Sequence, residues 1–276
     1  MAINSEPYLR NNLCWRFWHT DDLDGPTNMA VDEATLRHIE HGQVVLRTYT
    51  WSPGCLSIGC FQRYSDVNIQ ELESRGFDLV RRSTGGRAVL HDKELTYSIV
   101  VKAPHPILSK SVLESYYYLC DGIIGMLNSI GIQSEIKRNE DRSMSTPSCF
   151  TAPTFGDIET GGRKIVGSAQ MRNELGLLQH GSIINSLSRV DVFAVLSDNM
   201  SKVDRLVKLS EKKMTSIEEV SGEAQTISVL SSELLKSFEK TFNIESENFE
   251  PDDGFWDTVK GLKNNKYAKR QWTEKR

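Results

Sequence analysis

Residues 157–185 read DIETGGRKIVGSAQMRNELGLLQHGSIIN. Gly161-Gly162 stands between two alternating stretches, and paired glycines supply the positive φ angles of a tight two-residue turn, so the first half is expected to form a β-hairpin. LGLLQHGSIIN, from Leu175, is one more strand. Upstream, residues 88–103 (AVLHDKELTYSIVVKA) set Leu95, Tyr97, Ile99 and Val101 in alternation with more polar neighbours, the pattern of a half-buried strand. Between these strands Ser111 opens a long helix. Ser111-x-x-Glu114 is a capping box, Gly131 sits where a C-terminal cap belongs, and the interior is apolar on more than one face, which predicts deep packing.

The same reading extends to both ends. VVLRTYTW from Val44 and CLSIGCFQ from Cys55 are rich in β-branched and aromatic residues and are split by Ser52-Pro53-Gly54, so they are expected to be neighbouring strands. Residues 28–42 (NMAVDEATLRHIEHG) carry Met29, Ala30, Ala34, Leu36 and Ile39 at helical spacing, with Asn28 as the expected cap. A short helix from about Val67 to Arg75 precedes the strand FDLVRR and a glycine turn at Gly85 and Gly86. From about Val190 the pattern is helical, as in DVFAVLSD and ISVLSSELLKSFEKTF. No repeat or linker divides the chain, so the expectation is one α+β domain with a helical C-terminal section. The basic end, NNKYAKRQWTEKR, is expected to be a solvated helix end or a frayed tail.

The chain has 276 residues, and 33 Lys and Arg against 37 Asp and Glu leave a formal charge of −4. That balance argues against nucleic acid as a partner, because phosphate neutralisation supplies most of such affinity, and equally against an anionic membrane. Residues 1–18 are interrupted by Glu6, Arg10 and Asn11, and no apolar run approaches the roughly 20 residues of a membrane span, so a cytoplasmic location is expected. Five cysteines, Cys14, Cys55, Cys60, Cys120 and Cys149, with no CxxC spacing and no HExxH, support neither a disulfide framework nor a metal site.

Three segments concentrate chemistry: RRSTGGRAVLHD (81–92), SCFTAP (148–153) and GRKIVGSAQ (162–170). In the first, glycines permit close backbone approach, while Arg81, Arg82, Arg87 and His91 offer donors to a carboxylate, carbonyl or phosphate. Alone it is also compatible with an ordinary charged hairpin. Cys149 lies between Pro147 and Pro153, unlike Cys14, Cys55, Cys60 and Cys120, which sit in or beside apolar stretches and read as small buried hydrophobes. A thiol attacks as its thiolate, so a nearby cation would activate it, and the Gly161-Gly162 turn makes Lys164 the candidate. Lys164 as a solvent-facing strand residue remains the alternative. His180 fits an orienting donor or a satisfied core histidine.

RRSTGGRAVLHDKELTYSIV, SCFTAPTFGDI and GRKIVGSAQMRNELGLLQHGSI, in this order, resemble the biotin/lipoate protein ligase and lipoyl-transferase superfamily. Within it the chain is most similar to the octanoyl-acyl-carrier-protein:protein N-octanoyltransferases of the LipM type. The resemblance implies a biotin/lipoate ligase-like catalytic domain, a mixed β-sheet flanked by helices, over residues 28–250. Residues 1–27 would be an extension packing on it and 251–276 a C-terminal helical tail. It implies octanoyl transfer from octanoyl-acyl-carrier protein to a lysine of an apo lipoyl domain, such as the glycine-cleavage H protein, with no cofactor. Cys149 would carry the acyl thioester and Lys164 would lower its pKa. Arg82, Ser83, Thr84, Gly85, Gly86, Arg87, Ala88 and His91 would form the acyl-binding loop, and Gly167, Ser168 and Ala169 a small-residue strand that admits the acyl carbonyl. His180 is a further orienting candidate.

Two departures separate the chain from other branches: Arg87 stands where many ATP-dependent lipoate ligases have a third glycine, and the GRGR-type loop of biotin ligases is absent. An ATP-dependent lipoate ligase, an amidotransferase moving octanoyl between lipoyl domains, and a noncatalytic acyl-protein binder are the alternatives. Arg81, Arg82, Arg87, Arg163 and Lys164 are expected to form a basic rim that steers acidic carrier or lipoyl domains.

Overall fold

A computed structural model describes residues 14–137 and 156–276. In chain order the elements are β1 (Trp15–Leu23), α1 (Gly25–His38), β2 (Val44–Trp51), β3 (Cys55–Ile58), α2 (Ile69–Ser74), β4 (Asp78–Arg81), β5 (Val89–His91) and β6 (Glu94–Lys102). They continue with α3 (Pro106–Ser109), α4 (Val112–Ser129), β7 (Glu135–Ile136), β8 (Ile158–Thr160), β9 (Arg163–Asn173) and β10 (Gly176–Ile184). The last third contains α5 (Arg189–Ala194), α6 (Met200–Ser210), α7 (Ile217–Ser221), α8 (Ile227–Phe242), β11 (Ser246–Asn248), α9 (Asp253–Leu262) and α10 (Arg270–Thr273). Among the described residues the strands make an eight-stranded sheet, β11-β1-β2-β6-β10-β9-β8-β7, and a three-stranded sheet, β4-β3-β5. The large sheet is mixed, with β1 parallel to β2 and β11 and the remaining pairings antiparallel.

The predicted hairpin forms, with Gly161 at φ +54° and Gly162 at φ +73° between β8 and β9. The capping box also forms: Ser111 Oγ accepts from Glu114 N at 3.2 Å, and the Glu114 carboxylate accepts from Ser111 N at 2.9 Å. α4 packs on α8 so closely that a Cβ on Gly122 would lie 2.6 Å from the Phe238 ring. These two helices cover one face of the large sheet with Leu119, Ile123, Met126, Leu234 and Phe238 against Leu46, Leu95, Ile99 and Leu177.

Several expectations change. β2 and β3 are not neighbours: β1 and β6 occupy both edges of β2, and the chain after Pro53 enters the small sheet, where β3 pairs with β4 and β5. Residues 88–103 do not form one half-buried strand either. β5 ends at His91, and all nine residues of β6 are buried, since α1 packs on the face opposite α4 and α8. The polar alternates of β6 therefore face protein rather than water. α1 begins earlier than its periodicity suggests, because Asp24 Oδ1 accepts from Thr27 N at 2.8 Å and Pro26 fits the first turn. Asn28 is instead inside the helix, donating to the carbonyls of Leu23 and Thr50.

The basic C-terminal end is docked, not frayed. Phe255, Val259, Leu262 and Tyr267 are buried with α1, Lys266 and the Tyr267 hydroxyl both reach Glu33 at 2.5 Å, and Lys263 meets Asp24 at 2.6 Å. Burying apolar side chains of this size contributes roughly 1.5–3 kcal/mol each before entropy is counted, enough to hold a short terminal segment.

Candidate active site

Successive residues of a strand face opposite ways, so pairing register places Ala169, His180, Ser98 and Arg47 in one row across four strands. Gly167, Ser182, Thr96 and Tyr49 form the next row on that face. Above these rows stand α1 and the small sheet. Together they enclose a pocket of about 440 Å³, including its mouth, between Met29 of α1, Tyr49, Trp51 and Thr96 of the large sheet, and Ser57, Val89 and His91 of the small one. Gly167, Ser168, Ala169 and His180 line it from β9 and β10, and Arg82 and Gly86 from the glycine loop.

Two buried carboxylates organise its polar wall. Asp32, on α1, receives Arg47 Nη1 at 2.9 Å, Ser98 Oγ at 2.9 Å, the Tyr49 hydroxyl at 3.0 Å and His180 Nδ1 at 3.2 Å. Burial works to raise the Asp32 carboxyl, but His180 and Arg47 outweigh it and hold the group below the usual carboxylate range. Burial likewise pushes His180 below its ordinary value despite the favourable Asp32 contact. A neutral His180 then donates from Nδ1 to Asp32 and accepts at Nε2 from the Thr84 hydroxyl, 2.6 Å away. Glu94 plays the same part for His91, accepting from Nδ1 at 2.6 Å and from Thr96 Oγ1 at 2.5 Å, with Ser182 Oγ on its other oxygen. His91 stacks on Trp51 at 4.2 Å between ring centroids, and its Nε2 meets Ser57 Oγ at 2.7 Å.

Arg82 joins the two arrangements. Its Nε donates to Thr84 Oγ1 and Gly85 O, Nη1 to Ser57 O and Oγ, and Nη2 to Gly85 O and Arg87 O, at 2.7–3.2 Å. The guanidinium thus fastens the Gly85-Gly86 loop to β3. Gly86 is at φ +92°, and a Cβ there would come within 2.8 Å of Arg82 Nη2. Gly59 clears the loop from the other side, since its Cβ would overlap the Gly86 carbonyl. Ser83, Thr84, Gly85, Arg87 and Ala88 stand behind or beside the pocket lining, with Thr84 and Ala88 buried. Arg87 Nη1 is buried without a hydrogen-bond partner among the described residues.

Lys164 is only 2% exposed, and its Nζ lies 2.9 Å from Asp157 Oδ1. A Cβ on Gly167 would lie 2.7 Å from Lys164 Cε and Nζ, so the glycine makes the space in which the ammonium sits against the pocket wall. Next to it Tyr97 OH meets Ser168 Oγ at 2.6 Å, while Tyr116 OH donates to the carbonyls of Gly156 and Ser168. Lys137 and Gly156 bracket residues 138–155, and they are held together by Gly156 N to Lys137 O at 3.1 Å and Lys137 N to Asp157 O at 2.8 Å. Cys149 lies outside the described residues. Of the other thiols, Cys55 and Cys120 are buried, and burial pushes both well above the ordinary thiol pKa; Cys14 and Cys60 are partly exposed, unlike the buried hydrophobes expected of them.

The sequence reading missed Asp32, Glu94 and Asp157, which hold His180, His91 and Lys164. Asp32 carried the one usable signal, an acid among the apolar residues of the predicted helix. Of the expected basic rim, Arg81 and Arg82 are buried on backbone carbonyls, Lys164 is buried on Asp157, and Arg163 faces Glu219 at 3.7 Å, while Arg87 is half-buried beside the glycine loop. No group of three or more metal-ligating side chains occurs among the described residues, and none of their helices is long and apolar enough to cross a membrane.

Residues 24–239 match the family described as the lipoyl protein ligase A/B catalytic domain. Octanoyltransferase LipM of Clostridioides difficile is 36% identical over 95% of this chain and 99% of its own length. Octanoyltransferase LipM of Staphylococcus aureus is 36% identical over 94% and 97%. Among solved structures, a bipartite lipoate protein ligase from Thermoplasma acidophilum, studied with its E2 lipoyl domain, superposes with a TM-score of 0.80 at 19% identity, covering 95% of this chain and 96% of that one. That likeness supports the fold, a single lipoate ligase-like catalytic domain with mixed sheets flanked by helices. With the catalytic-domain match spanning most of its length and curated relatives aligned almost end to end, the chain belongs to the octanoyltransferase LipM family.

Proposed function

We propose that the protein is an acyltransferase of lipoate biosynthesis that moves an octanoyl group from octanoyl-acyl-carrier protein to a lysine of an apo lipoyl domain, such as the glycine-cleavage H protein, through an octanoyl thioester on Cys149. The observation that carries this reading is the buried Lys164 ammonium, seated at Gly167 on the wall of a largely apolar pocket. Cys149 precedes Gly156 by seven residues, and Gly156 adjoins the Asp157 that holds Lys164. Seven residues reach up to about 25 Å when extended, so the covalent chain permits the thiol to meet the ammonium.

In this mechanism the Lys164 charge favours the thiolate of Cys149. Its sulfur attacks the donor's thioester carbonyl, the carbon–sulfur bond to the carrier breaks, and the carrier thiol leaves with a proton. The neutral amine of the lipoyl-domain lysine then attacks octanoyl-Cys149. An amide forms, the Cys149 thiolate leaves, and the amine loses one proton. Asp32 and Glu94 hold the His180 and His91 rings in place, so the pocket is preorganised before the acyl group enters. Burying the octanoyl tail against Met29, Tyr49, Trp51 and Val89 supplies roughly 5 kcal/mol at about 0.8 kcal/mol per methylene.

Incubation with octanoyl-acyl-carrier protein in the absence of ATP tests the reading by intact mass. A hydroxylamine-labile octanoyl adduct is expected, and it disappears in Cys149→Ala. Wild-type protein that stays unmodified but makes lipoyl-AMP from lipoate and ATP would replace this reading with a ligase.

A further inference from the structure

Much of the basic rim anticipated around the glycine loop is buried or paired, while exposed positive charge gathers along α6, next to the strand that carries Lys164. α6 and the turn after it carry Lys202, Arg205, Lys208 and Lys212, all exposed, followed by Lys213. At 3.6 residues per turn, Lys202, Arg205 and Lys208 share the side of α6 opposite its buried residues Val203 and Ser210. Asp204 and Glu211 fall together on one flank of that stripe. The helix ends beside Lys164. Lys164 N donates to Lys213 O at 2.9 Å, and Thr215 N donates to Lys164 O at 2.8 Å, so the basic turn is stitched to the strand that carries the ammonium.

We infer that the basic stripe of α6 and the turn at 211–213 is the docking surface for the acidic carrier protein that delivers the acyl thioester; this deepens the proposed function and rests on it. Charge complementarity selects an acidic partner for this stripe, where Lys202, Arg205, Lys208 and Lys212 are all exposed. Reach selects the donor over the acceptor. The stripe runs about 15 Å along the helix away from Lys164, a distance that a carrier bridges with the long flexible arm bearing its thioester. A lipoyl domain presents its reacting amine on a single lysine side chain and must seat at the pocket mouth itself. Loss of one favourable rim charge mainly slows association, so the surface should act on capture of the donor and leave the chemical step unchanged.

The test compares wild type with Lys202→Glu/Arg205→Glu/Lys208→Glu, three exposed changes off the buried face of α6. Cys149 acylation is measured with octanoyl-acyl-carrier protein and with octanoyl-pantetheine, which has no protein to dock. Transfer from the pre-acylated enzyme to a lipoyl domain and binding of fluorescent carrier protein are measured in parallel. The expected result is a fall of tenfold or more in kcat/KM for the carrier-borne donor, most of it in KM, and carrier binding weakened to match. The salt dependence of the wild type should also flatten. Octanoyl-pantetheine and the lipoyl-domain step should stay within twofold. Carrier binding unchanged by the charge reversal overturns the inference whatever happens to catalysis. So does a loss confined to the lipoyl-domain step, which would assign the stripe to the acceptor, or an equal loss with octanoyl-pantetheine. Carrier binding that depends on the stripe in a protein that transfers no octanoyl group would uphold the surface and sink the proposed reaction instead.

Discussion

The two faces of the strands β2, β6 and β10 are built from the same alternating sequence and do opposite work. Toward α4 and α8 they present Val44, Leu46, Leu95, Ile99, Val101, Leu177 and Ile183, an apolar layer closed by Leu119, Ile123 and Phe238. Toward α1 they present Arg47, Tyr49, Thr96, Ser98, His180 and Ser182, a buried polar layer around Asp32 and Glu94 that lines the pocket. The first face gains stability from each methylene it hides. The second spends much of what burial could provide on desolvating charges, and keeps them because each has partners in place.

The largest test of that contrast is Arg47→Met. It leaves the Asp32 carboxylate buried without its cation, both being 1% exposed in wild type, and should destabilise the fold by about 3–5 kcal/mol in urea unfolding. Adding Asp32→Leu should restore much of the loss in stability while leaving His180 without its acceptor. A single-variant cost under about 1 kcal/mol would show that the polar layer is not interdependent. On the other face Leu119→Ala should cost about 2–5 kcal/mol through lost burial and a cavity. Its specific activity per folded molecule should be unchanged, and a large fall would dissolve the distinction between the faces.

Gly167→Ala probes the seam where the pocket meets Lys164. The new methyl would press on Nζ, and displacing a positioned group by about 1 Å costs on the order of 100-fold in rate, so acyl transfer should fall by that order with little change in melting temperature. If Lys164 activates Cys149, the pH at which iodoacetamide alkylates that thiol should also rise in this variant. An unmoved alkylation profile would separate the glycine from the nucleophile.

The smallest effect concerns acid sensitivity away from the pocket. Burial pushes His105 down from 6.5 to about 4 in the folded protein. The unfolded chain therefore binds a proton first as pH falls below about 6.5, and stability declines from there toward about pH 4. His105→Asn keeps an acceptor for the Ile107 N–H that starts α3 and should flatten part of this slope. His180, which burial shifts in the same direction, adds to the slope. A slope identical to wild type would remove His105 as a source of it.

Local rules were legible wherever they depended on neighbours in the chain. The Gly161-Gly162 hairpin and the Ser111–Glu114 capping box could be read directly, because turn dihedrals and cap geometry are properties of a few consecutive residues. The glycine loop was legible as a special backbone, but not the use of Arg82 to tie it to Ser57. The pairing of His180 with Asp32 joins residues whose approach depends on how strands are ordered, which periodicity does not encode; that of Lys164 with Asp157 lies within the hairpin and depends on its register shift between Ile158 and Glu159.

The polar alternates of β6 show where such reading stops. Glu94, Thr96, Ser98 and Lys102 alternate with apolar residues, the pattern of a half-buried strand, yet all four are buried. Alternation establishes that the two faces differ in polarity; whether the polar one meets solvent depends on what else packs there. The sequence by itself determined the hairpin, the long capped helix, the mixed α+β content and the motifs that mark the family. Only the tertiary structure decided that α1 closes over the polar face, that the basic tail docks on Glu33 and Asp24, and that the basic side of α6 stays exposed. Burial and ion pairing are set by contacts between distant segments, whose energies appear only once the chain has brought those segments together.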